Sequence, residues 1–387
     1  MVISVKLAQT IRHYNKKKLA KDILAGIIIM AVSIPISMGY AQIAGLPAVY
    51  GLYGSVFPIL VFAIFSTSPQ FIFGVDAAPA ALIGSALVSL GIESGSSQAM
   101  AAVQMLTFFV ALWLLAFYVM KAGKLVNYIS APVMGGFITG ICTTIILMQV
   151  PKLMGGTAGT GEFFELAEHI IKTAAVINLP SVVMGLLALA ILLICKKAAP
   201  KFPMAVVLMA AGAIMTKLLP VEEWGIQTLA SVETGLPKWS LPDFTAVPIQ
   251  DAVTISLSVA VVIMAETLLA ENSFAQKNGY RINDNQEILA FSMGNLAAAL
   301  TGCCPMNGSV SRTAMGEQYQ AKTQLTGIVA GLYMIVLLLC ATGFIGYLPI
   351  PVLTAIVISA LLGATEFELA VRLWKVSRTG WVCCISH

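Results

Sequence analysis

Apolar runs of roughly 15 to 25 residues follow one another along almost the whole chain, each near the roughly 20 residues that cross a bilayer as a helix. The pattern predicts spans at Ile23 to Ala41, Pro47 to Phe65, Asp76 to Leu90, Gln98 to Met120, Val126 to Met148, Asn178 to Cys195 and Phe202 to Leu219. A polar stretch with Glu222, Glu223, Trp224, Glu233, Trp239 and Asp243 follows. The runs then resume as Asp251 to Ala270, Gln286 to Gly302, Ser309 to Gly316, Leu325 to Tyr347 and Pro351 to Gly363. The third and tenth of these spans are short. Each follows a proline-containing lead-in without helical character, Pro69-Gln-Phe-Ile-Phe-Gly-Val-Asp-Ala-Ala-Pro79 and Gly302-Cys-Cys-Pro-Met-Asn-Gly-Ser-Val-Ser-Arg312.

Lipid tolerates irregular backbone only where it is buried in protein or lines a wet cavity, because unsatisfied amides there cost several kcal/mol each. Two such breaks imply a solute site. The odd offset between them gives the two short spans opposite membrane orientation, the mark of an inverted-repeat transporter with its site at mid-membrane. On this plan residues 1–22 form a cytoplasmic N-terminal segment, 23–219 the first repeat, 220–250 an extracytoplasmic polar linker and 251–375 an incomplete second repeat. A seven-plus-seven plan calls for two more spans. Residues 376–387, ending Trp381-Val-Cys-Cys-Ile-Ser-His387, read as a truncated tail where a thirteenth span would begin.

Composition changes the picture only by confirming the class. With 58% hydrophobic and 10% charged residues among 387, and a mean hydropathy of +0.90, the chain lies outside the soluble globular range. The net charge of +4 is spread over short loops with no basic stripe, so it reports topology and not nucleic acid. An N-terminus inside puts Lys121, Lys124, Lys196, Lys197, Lys201, Lys277, Arg281, Lys322, Arg372, Lys375 and Arg378 on the cytoplasmic side, and Lys152, Lys172, Lys217 and Lys238 outside. The expectation is a multi-pass protein of the inner, or plasma, membrane. Arg12, Lys16, Lys17, Lys18 and Lys21 precede a run with a Pro-Ile-Ser break and no cleavage site, which favours a retained first span over a signal peptide.

Seven cysteines lie mostly within apolar runs, and His13, His169 and His387 lie outside the spans, so neither a metal site nor a histidine proton relay is expected. No enzyme motif and no nucleotide fold is present, and no cofactor is called for. The chemistry falls to a few polar residues. Ser309, Ser311 and Arg312 open the tenth span, where free N–H groups and a partial positive charge bind anions. The plain alternative is a helix cap with a snorkelling arginine. Asp76 opens the third span as a cap or as a proton or cation site. Glu266, inside the eighth span beside Thr267, is costly unless paired or protonated, with Arg312 as the natural partner. Glu271, one turn on, reads as solvated. In the first span Pro35 with Ser37, Tyr40 and Gln42 offers polar groups to a cavity.

At these residues the chain resembles the SulP sulfate permease family, relatives of the solute carrier 26 anion exchangers. Ala41-Gln-Ile-Ala-Gly-Leu-Pro-Ala-Val-Tyr-Gly-Leu-Tyr53, Asn278-Gly-Tyr-Arg-Ile-Asn-Asp-Asn-Gln-Glu287, Gly308-Ser-Val-Ser-Arg-Thr313 and Ala321-Lys-Thr-Gln-Leu325 carry the likeness. It implies an all-α polytopic membrane fold of the uracil-transporter type, a seven-plus-seven inverted repeat with core and gate. It also implies secondary transport of a small anion, sulfate by default, without ATP. The site would lie between the N-termini of the third and tenth helices, at the backbone of Ala77 and Ala78 with Ser309, Val310, Ser311 and Arg312, and with Tyr40, Gln42 and Glu266 nearby. Asp76 or Glu266 would couple a proton or sodium. A homodimer follows from the resemblance alone. Family members usually carry a cytoplasmic STAS domain, which this chain does not show, and Asp76 stands where many have an uncharged residue. Two rivals are a nucleobase-type transporter of the same fold, with Glu266 holding a heterocycle, and a fragment that does not transport.

Overall fold

The computed structural model describes residues 19–124, 131–157, 159, 163–199, 202–229, 234–321, 323–340 and 342–364. Arg12, His13, Lys16 to Lys18, Lys201, Glu233, Lys322, Arg372, Lys375, Arg378, Cys383, Cys384, His387 and the tail lie outside them. In chain order the helices are α1 (Leu19–Ile43), α2 (Val49–Gly54), α3 (Phe57–Phe65), α4 (Ala77–Ser89), α5 (Ser97–Val119), α6 (Ala131–Leu153), α7 (Phe163–Ala174), α8 (Leu179–Ala198), α9 (Met204–Leu218), α10 (Ile249–Asn278), α11 (Asp284–Leu300), α12 (Val310–Gln318), α13 (Leu325–Cys340) and α14 (Ile350–Ala364). Two strands of two residues each, β1 (Phe73–Gly74) and β2 (Asn307–Gly308), precede α4 and α12. Among the described residues α1, α5, α8 and α10 are long and apolar enough to cross a membrane, and several apolar helices are shorter.

Three elements differ from the hydropathy pattern. The run Pro47 to Phe65 is two helices, because Pro58 in the first turn of α3 has no N–H to continue the ladder and the backbone turns aside at Val56. The run Leu325 to Tyr347 leaves α-helix at Cys340 and ends in a 3-10 turn, Thr342–Tyr347. Between the fifth and sixth predicted spans lies α7, whose exposed Glu168 and Lys172 pair one turn apart at 2.6 Å.

The chain divides into two compact units, each assembled from separated segments. One takes residues up to Phe137 with Pro237–Ile335, and the other takes Ile138–Leu236 with Val336–Phe367. In the second unit α8 and α9 pack on α14, and the loop before it is tied by Leu229 N–H to the Leu348 carbonyl and Ile350 N–H to the Gln227 carbonyl, at 3.0 and 2.9 Å.

The first unit holds both lead-ins. Its centre is α11, packed on α3 and α5, with α10 also against α5. Local chemistry fixes the ends of these helices. Ser96 accepts from Ala99 N–H at 3.0 Å, Asn283 accepts from Gln286 N–H at 3.2 Å, and α10 stops at Gly279 in the left-handed conformation, φ 71°. Gly51 lets α2 lie directly on the Ser37 carbonyl of α1, near Pro35, where any β-carbon would collide. Phe62, Phe73 and Phe291 stack nearly parallel, the closest pair at 4.7 Å, so that β1 rests on an aromatic floor from α3 and α11. Asn295 of α11 holds the other lead-in, accepting from Met306 N–H at 2.8 Å and donating to the Met306 carbonyl at 3.0 Å.

Asn295 is wholly buried, so its loss strands two backbone groups at once. Stranded buried groups cost about 1–3 kcal/mol each. Asn295→Ala is therefore expected to lower stability by about 2–4 kcal/mol, read as a lower unfolding midpoint in detergent, while Asn295→Asp, which keeps only the acceptor, falls between.

Candidate functional site

The two lead-ins meet as an antiparallel pair, Phe73 opposite Gly308 and Gly74 opposite Asn307. Each strand passes within a few residues into a helix, β1 into α4 at Ala77 and β2 into α12 at Val310. The N-terminal turns of both helices are therefore brought to one place in the interior of the first unit. The first amides of a helix have no acceptor within it and carry its partial positive charge. At α12 these are the amides of Val310, Ser311 and Arg312, and at α4 they include those of Ala77 and Ala78.

The crossing is satisfied group by group. Ser309 N–H donates to the Ile72 carbonyl at 2.8 Å, and Ile72 N–H donates to Thr313 Oγ1 at 3.0 Å. Gly308 N–H donates to Thr267 Oγ1 of α10 at 3.1 Å. Gln324 Nε2 donates to the carbonyls of Ser68 and Phe71 at 2.7 and 2.8 Å, which anchors the start of the first lead-in. Thr313 and Gln324 are structural residues that a search for charged groups passes over, although both lie in the segments that carry the family resemblance.

Arg312 is 1% exposed, and its Nη2 donates to the Val75 carbonyl at 2.5 Å with Asp76 Oδ2 3.9 Å away. Asp76 is also the N-cap of α4, accepting from Ala77 N–H at 2.8 Å, and the Ser309 hydroxyl faces its carboxyl. The Ser309 and Ser311 hydroxyls lie 3.3 Å apart. Tyr40, 2% exposed on α1, faces the Arg312 guanidinium. Ala77 and Ala78 are buried, and Val310 and Ser311 are partly buried. Gln42 is exposed in the last turn of α1.

Two expectations need correction. Glu266 does not pair with Arg312. Its Oε2 accepts from Asn307 Nδ2 at 2.9 Å, while Arg312 turns to the opposite lead-in. Helical geometry explains the split: Glu266 and Thr267 are successive residues of α10 and hold successive residues of β2, side chain and backbone. Glu271 is not solvated either. It is completely buried, because α11 and the turn at Ser66 to Ser68 close over that end of α10. Among the described residues no group of three His, Cys, Asp or Glu is placed to hold a metal ion.

What gathers in one place is two helix starts, a buried guanidinium, a carboxyl within ion-pair distance of it, two serine hydroxyls and a phenol. This donor-rich set suits an anion held by amides and hydroxyls, with the charge of Arg312 offset or released by Asp76.

A profile of the sulfate permease family matches residues 19–387. A probable sulfate transporter of Mycobacterium tuberculosis is 27% identical over 368 residues, covering 95% of this chain and 66% of that protein. The chloroplastic sulfate transporter 4.1 of Arabidopsis thaliana is 30% identical over 381 residues, covering 95% of this chain and 55% of that protein. This chain thus spans between about half and two thirds of these relatives. Among solved structures, the transmembrane domain of the cyanobacterial bicarbonate transporter BicA superposes with a TM-score of 0.83 at 20% identity, covering 96% of this chain and 95% of that one. The murine solute carrier 26 family member A9 anion transporter, in an inward-facing state, gives 0.84 at 21% identity, covering 96% of this chain and 65% of that one. Both likenesses establish the fold.

A β-carbon at Gly74 would stand 2.5 Å from Arg312 Nη1 and 3.0 Å from Cζ. Gly74→Ala is expected to push the guanidinium off the Val75 carbonyl and to cost about 1–3 kcal/mol, the usual range for overpacking. The check is the unfolding midpoint of the purified variant. The double variant Gly74→Ala with Arg312→Ala should recover part of that loss.

Proposed function

The chain belongs to the sulfate permease family, and we propose that it is the membrane part of a secondary transporter of small anions, sulfate first among them. The observation that carries this reading is the β1–β2 crossing, which brings the starts of α4 and α12 together beside the buried Arg312. The anion sits between the two helix ends. The amides of Ala78, Val310 and Ser311, that of Ala77 once Asp76 releases it, and the hydroxyls of Ser309 and Ser311 donate to it, with Tyr40 and Gln42 closing the α1 side. Tetrahedral or trigonal oxyanions suit such a cradle because several donors reach different oxygens at once.

Asp76 is the coupling group of this mechanism, with Glu266 behind it. Ionised, Asp76 opposes an anion on the same helix end and neutralises Arg312 across 3.9 Å. Protonated, it leaves Arg312 and the helix ends to the anion, so anion and proton bind together; a sodium ion beside the carboxylate would achieve the same balance. The unit that carries both half-helices then moves as one body in an elevator-type alternation of access. Glu266 takes part through Asn307, to which it is bonded, and not by direct contact with a heterocycle, which weighs against a nucleobase. The protein works in the inner membrane with its N-terminus in the cytoplasm, as a homodimer.

Uptake of radiolabelled sulfate into proteoliposomes is expected to rise above that of empty vesicles and to respond to an inward proton or sodium gradient. Arg312→Ala should reduce it by at least tenfold, in line with the loss of about 1.4 kcal/mol or more of charge-assisted binding. Asp76→Asn should keep uptake but remove its dependence on the gradient. Uptake unaffected by Arg312→Ala in folded protein would refute the site.

A further inference from the structure

Apart from this site, the first unit encloses a second ionisable cluster at the C-terminal end of α10. Glu271 is 0% exposed, and neither of its carboxyl oxygens meets a hydrogen-bond donor among the described residues. The side chain within hydrogen-bonding reach of it is another carboxyl, that of Glu287 in the first turn of α11, itself 0% exposed. Glu287 is already supplied with donors. Its Oε2 accepts from Ser66 Oγ at 2.8 Å, and its Oε1 accepts from Thr67 N–H at 2.5 Å, from Thr67 Oγ1 and from Ser68 N–H at 3.1 Å. Its acceptor sites are thus taken up by donors of the Ser66 to Ser68 turn.

Among the described residues no fixed cation joins them. Lys277 is engaged with Glu317 at 2.7 Å, Arg281 is exposed, and the exposed Lys121 and Lys124 flank Gly123, whose backbone lies against Asp284. Asp284 adds another acid facing Glu271 and accepts from Asn272 Nδ2 at 3.0 Å. The buried hydroxyls of Tyr280 and Ser68 face each other beside the cluster, and Glu317 lies beyond Tyr280. Two buried carboxyls facing each other with no cation cannot both be charged. A proton between them resolves the repulsion and gives Glu271 a hydrogen bond to Glu287.

We propose that Glu271 and Glu287 share one proton, carried on Glu271 and donated to Glu287, as a protonation site separate from the one at Asp76 and Glu266. Glu271 follows Glu266 by five residues, about 7.5 Å along the helix at 1.5 Å per residue. The shared proton joins α10, α11 and the turn at Ser66 to Ser68 that feeds β1. Loss of the proton sets Glu271 against Glu287 and loosens that turn, so the footing of the helix crossing depends on pH whether or not the transported solute carries protons.

The test reads folding and not transport, so it stands apart from the substrate. Equilibrium unfolding of the full chain in detergent is followed from about pH 5 to about pH 9. In the unfolded chain both glutamates ionise near the ordinary value of about 4.3. The native state keeps one proton more, so the stability it supplies is full below that pH and is lost as pH rises to the ionisation of the pair. The wild-type unfolding constant should grow up to about tenfold per pH unit from this source. Glu271→Gln, whose amide donates to Glu287 in place of the proton, and Glu271→Leu, which leaves Glu287 with its own donors, should each show a slope shallower by about one proton. The wild-type slope surviving in either variant, or loss of the fold in both, would overturn the proposal. So would wild-type stability that follows sodium concentration at fixed pH, since the site would then hold a metal cation.

Discussion

Two stretches of non-helical backbone lie buried in the first unit, and every amide and carbonyl in them must find a partner without help from water. That constraint organises the first unit. The lead-ins satisfy it by pairing with each other over two residues, and side chains from α10, α11 and α12 supply what the pairing leaves over. Thr267 takes the Gly308 amide, Asn295 takes both polar groups of Met306, and Thr313 takes the Ile72 amide. The aromatic floor of Phe62, Phe73 and Phe291 excludes competing polar contacts from beneath.

The same economy governs charge. Buried ionised groups are tolerated only with partners, and those around the crossing have distinct solutions. Arg312 is held by a carbonyl and a nearby carboxyl, and Glu266 is held by an amide. Glu287 is held by a turn. Arg312 ties the second lead-in to the first, Glu266 ties it to α10, and Glu287 ties the start of the first to α11, so electrostatics and backbone hydrogen bonding hold the same junction from different sides. The proposed anion cradle inherits its rigidity from this arrangement, because the groups that would meet the solute belong to helix starts that cannot shift independently.

Much of this was legible in the sequence, and the parts that were not share a cause. Short apolar runs behind Pro, Gly and Ser gave away both half-helices, and Asp76 and Arg312 stood out because charge inside a hydrophobic run has few explanations. Periodicity within one segment says nothing about which distant segment supplies a partner. For that reason the sequence points Glu266 to Arg312, whereas its partner is Asn307. Its place near a helix end makes Glu271 look solvated, although its burial comes from Ser66 to Ser68 and Glu287, some 200 residues earlier and 16 later in the chain. The break at Ser55 and Val56 was recoverable from Pro58, but hydropathy averaged over the run conceals a single missing N–H.

The two-residue register of β1 and β2 also decides where the chain can change length. Phe73 must face Gly308 and Gly74 must face Asn307, and side chains along a strand alternate between opposite faces. One residue gained or lost between Gln70 and Ala77, or between Met306 and Val310, would not be absorbed as slack. It would exchange the faces, turning Phe73 away from its aromatic floor and Asn307 away from Glu266. The lead-ins resemble loops in composition but behave as gauges of fixed length. Evolutionary insertions and engineered tags should therefore be accommodated in the exposed turns of either unit and refused here.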